Sequence, residues 1–390
     1  MLQKELLSRY RQPILKSFVV MNKSHIEKQT NIWKAHLPFV RPFYAVKSNN
    51  DIQLLRWLTE LFDPKYIGFD CASINEMESV RKVSKDVNII YAQPCKTLTD
   101  ISASTRYGIA TTVVDSPEEM EKLYDARWKG NTLIRLAVPD SNSRQPFSKK
   151  FGAPIQWVSE ILEQSKTYKI PVTGLSFHVG SECENPTQFS KALELCRLAM
   201  DLGVNMDIKM DTIDIGGGFL PSETNLSAVA SCITSVKERL FPNNKAPSGN
   251  QIKWIAEPGR FLSATSQTLY TPVIGKKRGM PSDDPMAPEF RYTLHESVYG
   301  YFSNIPFDGQ KPDFKLVHQA EELPTLTRHR TYRSILFGRT CDGADIINPH
   351  INLPLLKTGD WLMVENMGAY TNVTASEFNG FPKPDIIYLS

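Results

Sequence analysis

A chain of 390 residues exceeds one ordinary domain and has volume for two cores. Its 45 basic and 42 acidic residues nearly cancel to a net charge of +3, which excludes the strongly basic surface expected of a nucleic-acid or membrane-surface binder. Hydrophobic residues at 41% and charged residues at 22% are those of a soluble globular protein, and no apolar run approaches the length of a membrane span. Six cysteines are scattered with no C-x-x-C pair, so neither a zinc site nor a disulfide framework is signalled and a cytoplasmic, reducing setting is expected. The opening "MLQKELLSRYRQ" lacks the apolar core of a signal peptide.

From about residue 40 to 260, short apolar runs rich in β-formers alternate with segments of helical period. The runs are "VRPFYAV" (40–46), "YIGFD" (66–70), "NIIYA" (88–92), "IATTVV" (109–114), "TLIRLAV" (132–138), "VTGLSFHV" (172–179), "TIDIG" (212–216) and "IKWIA" (252–256). Between them, Leu54, Leu55, Trp57, Leu58, Leu61 and Phe62 recur at helical spacing, as do Ile155, Val158, Ile161 and Leu162. Pro117 and Pro186 stand where proline enters a helix. Eight strand–helix repeats predict a TIM-like (β/α)8 barrel buried on both faces of its sheet, with a doubly wound open sheet as the main rival. After Phe261 helical periods become rare. Runs such as "QTLYTPVIGKK", "RYTLHESVYGYF", "YRSILFG" and "DWLMVENM" predict a β domain, with an exposed loop at the prolines of "MPSDDPMAPEF". The expected partition is a barrel over residues 22–266 and a β domain, a modified barrel or sandwich, from 1–21 and 267–390.

Reactive residues of such barrels come from the C-terminal strand ends. Lys47 follows strand one, Asp70 and Cys71 end strand two, Arg135 lies on strand five, His178 ends strand six, Gly216–Gly218 follow strand seven and Glu257 follows strand eight. A lysine after a strand is ordinarily a snorkelling surface residue. Its neighbours suggest otherwise. Three successive glycines in "DIGGGF" let backbone N–H groups approach an anion, although the motif matches no nucleotide-binding loop. In "AEPGR", Gly259 and the donor fork of Arg260 sit beside Glu257 and extend that cradle. A buried lysine amine, a phosphate cradle and a buried acid suit pyridoxal phosphate. The lysine would form a Schiff base, the glycines and arginine hold the phosphate, and the acid keep the pyridine nitrogen protonated. No metal is called for.

The motifs "PFYAVKSN", "FDCAS", "IIYAQPCK", "VVDSPEE", "FHVGS", "DIGGGF", "AEPGR", "CDGAD" and "ENMGAYT…FNGF" run in order from about residue 38 to the C-terminus. Together they resemble eukaryotic-type ornithine decarboxylases, pyridoxal-phosphate enzymes with an alanine-racemase-like barrel and a β domain. The resemblance implies that Lys47 carries the Schiff base, Glu257 partners the pyridine nitrogen and His178 stacks on the ring. Ser181, Gly218, Arg260 and Tyr370 match phosphate contacts, beside Gly216, Gly217 and Gly259 of the cradle read from the glycines themselves, while Asp70 and Arg135 order the surroundings of the lysine. Cys341 and Asp342 match a loop inserted into the neighbouring subunit's site of a homodimer, Cys341 as the acid that returns a proton to Cα. Lys150 and Asp345 match a pair bridging that dimer. Tyr299, Phe307, Asp308, Asp342 and Phe378 match the substrate-facing set, with Asp308 and Asp342 receiving the distal ammonium of the substrate.

The implied activity is decarboxylation of L-ornithine to putrescine, a step of polyamine biosynthesis, with lysine, arginine or a modified basic amino acid as alternatives. A catalytically inactive regulator resembling antizyme inhibitors is the rival from another class, but Asp70, Arg135 and Tyr299, which those proteins alter, are intact. Racemases share the barrel and lysine but lack the "CDGAD" loop. An antizyme-like regulatory partner is left open. The sequence departs from the family at His295–Glu296–Ser297, where Asn-Asp-Gly is usual, at Glu182, where glycine is usual, and at Asn75, where lysine is common. With its last residue at Ser390, the long degradation tail of vertebrate relatives is not expected. Cys71 and Cys95 are read as structural.

Overall fold

The computed structural model describes residues 16–280, 284, 286–318 and 330–390. The charged N-terminal stretch and Pro281 and Pro285 of the expected loop lie outside the described residues. The chain divides into two units, His25–Ser263 and a second formed by residues up to Ser24 with Ala264–Ser390.

The first unit is a closed barrel of eight parallel strands: Val40–Ala45, Gly68–Cys71, Asn88–Tyr91, Thr111–Val114, Asn131–Leu136, Val172–Phe177, Thr212–Asp214 and Lys253–Ala256. Closure comes from the pairing of Trp254 with Val40, which removes the open-sheet rival. Each predicted run holds a strand, most of them shortened at an end, although the second runs on to Cys71 and the fifth begins one residue early at Asn131. The first strand stops at Ala45, one residue earlier than expected, and Val46 opens a 3-10 turn instead. Phe43, Ile90, Val113, Leu133 and Ile255 fill the barrel interior.

Local chemistry starts the helices. Asp51 accepts from the backbone N–H groups of Gln53 and Leu54 to cap Ile52–Leu61, whose Leu54, Leu55, Trp57 and Leu58 are buried. Ser116 caps Pro117–Asp125, with proline at the first helical position, where no N–H is needed. Each helix thereby begins at a fixed residue after its strand, so the strand-end loops are short and defined.

The second unit is a mixed sheet ordered Lys315–His318, Trp361–Val364, Gln267–Arg278, Phe290–Leu294, Thr331–Phe337 and Ile346–Pro354. Phe18–Asn22 joins it antiparallel to Gln267–Arg278 and parallel to Asp385–Leu389. Tyr292, Leu294, Phe302, Leu336 and Leu362 belong to its core. One strand expectation fails here. "RYTLHESVYGYF" stops being strand at Leu294, and the chain passes through a 3-10 turn, Tyr301–Ser303, into the short helix Asn304–Asp308. The cause is Glu296, whose Oε1 accepts from the N–H groups of both Ser297 and Tyr301 and so closes a turn that a strand ladder would forbid. Among the described residues, no helix is long and apolar enough to cross a membrane.

Candidate active site

Lys47 occupies the 3-10 turn Val46–Ser48 directly after the first barrel strand. Ser48 Oγ donates to the carbonyl of Ala45 at 2.9 Å and Tyr44 donates its hydroxyl to the carbonyl of Asn49 at 2.9 Å. These bonds fix the turn, and Lys47 Nζ meets Asp70 Oδ2 at 3.0 Å. Asp70 is 1% exposed and its Oδ1 finds no hydrogen-bond partner among the described residues. The lysine itself is not buried as expected: 40% of its side chain is exposed, because the turn lifts it off the strand.

A second lysine sharpens the contrast. Lys96 is fully buried, and its Nζ donates to the carbonyls of Gln93, Pro94 and Val113 and lies 2.9 Å from Glu119. All its donor capacity is spent on structure. The amine of Lys47 meets the carboxylate of Asp70 on a side chain that is 40% exposed.

His178 follows the sixth barrel strand. The N–H of Gly180 donates to its Nδ1 at 3.0 Å, so the ring proton resides on Nε2. Burial, with Arg135 and Lys47 adding, holds this imidazole well below its ordinary range and keeps it neutral. The ring of Phe147 meets it edge-on at 4.8 Å. Arg135 stacks its guanidinium over Phe151 at 5.0 Å, and its pKa is lowered by burial while the carboxylate of Glu257 opposes.

Glu257 follows the last strand and is 8% exposed. Burial pushes its carboxyl well up, Asp70 and Asp214 add to this, and Lys47 and Arg135 oppose it. Asp214, fully buried, is itself raised to about 6, chiefly by burial. Its Oδ1 accepts from Gly216 N–H at 2.9 Å, which helps set Gly216 at φ +63°, a conformation glycine takes without strain. A Cβ on Gly217 would lie 2.7 Å from His178 Nε2 and 3.0 Å from the carbonyl oxygen of Glu257. Arg260, 7% exposed, donates through Nη2 to Ser181 Oγ at 3.1 Å. The barrel unit thus brings together Lys47, Asp70, Arg135, His178 and Glu257 through their mutual charges, and Ser181 with Arg260 through a hydrogen bond.

The second unit has its own cluster. The hydroxyl of Tyr299 donates to Asp342 Oδ2 in a short bond, and the Tyr299 ring lies 4.4 Å from that of Phe378. The N–H of Ala344 and the Tyr299 hydroxyl lower the pKa of Asp342, while the same bond raises that of Tyr299. Cys341 is exposed; its N–H and Sγ both donate to Asn379 Oδ1, at 3.1 and 3.3 Å. Asp308 is buried at the end of its short helix and accepts from Gln310 at 2.9 Å, while Phe307 is 66% exposed. Tyr370 adopts φ +55°. Asp345, matched to a dimer bridge, is instead buried in its own unit, its oxygens accepting from Val298 N–H and from the N–H and hydroxyl of Thr340.

Sequence reasoning did not single out Asp214, Phe147, Lys96 or Asn379. Asp214 had a signal, an acid immediately before a glycine run. Asn379 had one too, since it adjoins Phe378.

Residues 23–264 match the family described as pyridoxal-dependent decarboxylase, pyridoxal binding domain. The chain is 34% identical over 382 residues to a probable ornithine decarboxylase of Dictyostelium discoideum, covering 95% of this chain and 79% of that one. It is 36% identical over 372 residues to antizyme inhibitor 2 of Xenopus laevis, covering 93% and 78%. Among solved structures, the arginine decarboxylase of Paramecium bursaria Chlorella virus bound to agmatine superimposes with a TM-score of 0.88 at 31% identity, covering 100% of this chain and 99% of that one. This chain belongs to the ornithine decarboxylase family of pyridoxal-dependent decarboxylases. It is an enzyme that uses pyridoxal phosphate to decarboxylate a basic amino acid.

Proposed function

We propose that the substrate is L-ornithine and the product putrescine. The supporting observation is the pair of carboxylates kept in the second unit: Asp308, buried, and Asp342, held as an anion by Ala344 N–H and the Tyr299 hydroxyl. Two acids around one ammonium compensate its desolvation, whereas a neutral side chain would leave them unpaired at a cost of about 1–3 kcal/mol or more. Tyr299, Phe378 and Phe307 supply the apolar wall for the methylenes.

The residues of the barrel fit the cofactor. A lysine amine beside a buried carboxylate whose second oxygen has no hydrogen-bond partner among the described residues, glycines whose Cβ atoms would fill the cradle, and a buried arginine suit a phosphorylated pyridine aldehyde. When bound, the cofactor supplies an electron sink for the pair left at Cα as CO2 departs. Lys47 holds it covalently and Asp70 keeps the amine positioned. Neutral His178 would lie against the ring. Glu257, whose carboxyl is pushed up by burial, would hold the proton of the pyridine nitrogen. Gly216, Gly217, Gly218, Gly259, Arg260, Ser181 and Tyr370 receive the phosphate, and Arg135 sets the local charge. The thiol of Cys341 returns a proton to Cα.

The sites are those of a homodimer in which each takes Cys341 and Asp342 from the neighbouring subunit; exposure of Cys341, Gly343 and Ala344 supports this. Six free cysteines suit the reducing cytoplasm. A larger basic substrate such as arginine is the second reading, favoured by His295 and Glu296. These sit just before Tyr299, with His295 bonded to Ser17 and Arg339.

The test is CO2 release from ornithine, lysine, arginine and diaminobutyrate. Ornithine should lead, with lysine discriminated by only about 10–200-fold because one methylene separates them. Asp308→Asn should depress kcat/KM for ornithine far more than cofactor occupancy. Preference for a neutral or acidic amino acid, or unchanged ornithine turnover in that variant, would overturn the reading.

A further inference from the structure

Ser143–Gln145 and Ser181–Cys183 form a small antiparallel ribbon, in which Ser143 pairs with Cys183 and Gln145 with Ser181. Arg144 therefore stands directly across from Glu182. Glu182 is 7% exposed and sits at φ +54°, a conformation that disfavours any residue with a Cβ and in which glycine is at home. Its carboxylate lies between two guanidinium groups: Oε2 is 2.7 Å from Arg144 Nη2 and Oε1 is 3.3 Å from Arg260 Nε. Arg260 turns another edge of its fork to Ser181.

We infer that Arg144 is a positioning residue for the cofactor phosphate, acting as the counter-ion that neutralises Glu182 so that the charge of Arg260 is left for the phosphate. This rests on reading Arg260 and Ser181 as phosphate contacts. The charges of Arg144, Glu182 and Arg260 add to a single positive charge, the value that Arg260 would have alone beside a glycine. A phosphate monoester brings between one and two negative charges at neutral pH. Remove Arg144 and the cradle becomes neutral, with a buried carboxylate close to the incoming anion. Remove Glu182 as well and the single positive charge returns. The two departures from a bare cradle thus cancel each other, although 38 residues separate them in sequence.

The test is a cycle of variants prepared as apoprotein and titrated with pyridoxal phosphate, following the absorbance of bound cofactor, with thermal unfolding of each apoprotein as a check on folding. Arg144→Met should raise Kd by tenfold or more. Adding Glu182→Gln to it should bring Kd back within fivefold of wild type, and Glu182→Gln alone should bind at least as tightly as wild type. Inorganic phosphate should compete with cofactor at lower concentration in Glu182→Gln than in wild type, a measurement independent of the Arg144 variant. Pyridoxal, which lacks the phosphate, should bind all four proteins alike. An Arg144→Met effect below fivefold, an effect that Glu182→Gln fails to reverse, or an equal loss of pyridoxal binding would overturn the inference. If wild type bound pyridoxal as tightly as pyridoxal phosphate, the failure would belong to the placement of the phosphate site.

Discussion

Gly217→Ala isolates the geometry on which the cofactor site depends. The new Cβ would sit 2.7 Å from His178 Nε2, 3.0 Å from the carbonyl oxygen of Glu257 and 3.4 Å from His178 Cε1. The carbonyl is backbone and cannot yield, and the imidazole, held by Gly180 N–H at 3.0 Å and by the edge of Phe147, can only tilt. Overpacking of this kind costs about 1–3 kcal/mol. In the apoprotein part of the strain is relieved by tilting the imidazole, but a bound pyridine ring needs the imidazole where it now stands. The cost therefore falls on the holoenzyme and corresponds to a cofactor Kd raised roughly 5- to 150-fold. Apoprotein Tm should fall by no more than roughly 2–12 °C for a unit of this size. Gly249→Ala is the control: at φ +86° it strains the backbone, yet among the described residues nothing lies within 4 Å of its Cβ. It should lower Tm without touching cofactor affinity. A Gly217→Ala protein with wild-type Tm and wild-type cofactor Kd would refute the reasoning.

Borohydride reduction of the holoenzyme should leave a pyridoxyl group on the peptide containing Lys47 and none on that of Lys96; peptide mass mapping reads the result, and modification elsewhere would count against the assignment. Equal mixing of Lys47→Ala with Cys341→Ala protein should restore about a quarter of wild-type activity, because random exchange puts half the dimers in mixed form with one of two sites intact. No recovery despite proven exchange would argue against shared sites. Glu296 and His295 should give opposite pH dependences of stability. Burial raises the carboxyl of Glu296 from 4.5 to about 7, so the native state keeps a proton the unfolded chain loses, and stability falls as pH rises through that window, by on the order of a few kcal/mol. His295 is lowered from 6.5 to about 4, mainly by burial, so the unfolded chain binds the extra proton and stability falls as pH drops from about 6.5 to about 4. In urea unfolding, Glu296→Gln should therefore gain stability with rising pH, and His295→Asn should lose it; identical profiles would contradict both assignments.

The barrel was readable because its strands are buried on both faces and so appear as continuous apolar runs, and because proline and serine mark the helix starts. The reactive side chains were readable because the fold gathers strand ends on one face, which made Lys47, His178 and Glu257 neighbours in expectation. The second unit was less so. Its strand at Phe290–Leu294 continues in composition through "HESVYG", and only the hydrogen bonds of a buried Glu296 to Ser297 and Tyr301 end it. Strand register is likewise invisible in composition. Nothing in the sequence sets Arg144 opposite Glu182, or turns Asp345 inward to Thr340 and Val298. The exposure of Lys47 was misjudged for a related reason, since one residue of strand more or less decides whether its side chain points into the barrel wall or off it.

The sheet of the second unit is stitched from segments far apart in the sequence, with Phe18–Asn22 lying between Gln267–Arg278 and Asp385–Leu389. On the ribosome the barrel sequence, His25–Ser263, emerges as one uninterrupted piece, whereas the apolar strand "FVVMN" emerges before it and must wait for partners at the far end. At roughly 5–20 residues per second, translation from this strand to the first of its partners, Gln267–Arg278, takes roughly 12–50 seconds. Throughout that interval an early apolar segment has neither edge paired. Faster or slower translation of the 3′ half of the message should therefore change the yield of native protein with no change in its sequence, and a chaperone that covers this first strand would act before any part of the cofactor site is complete.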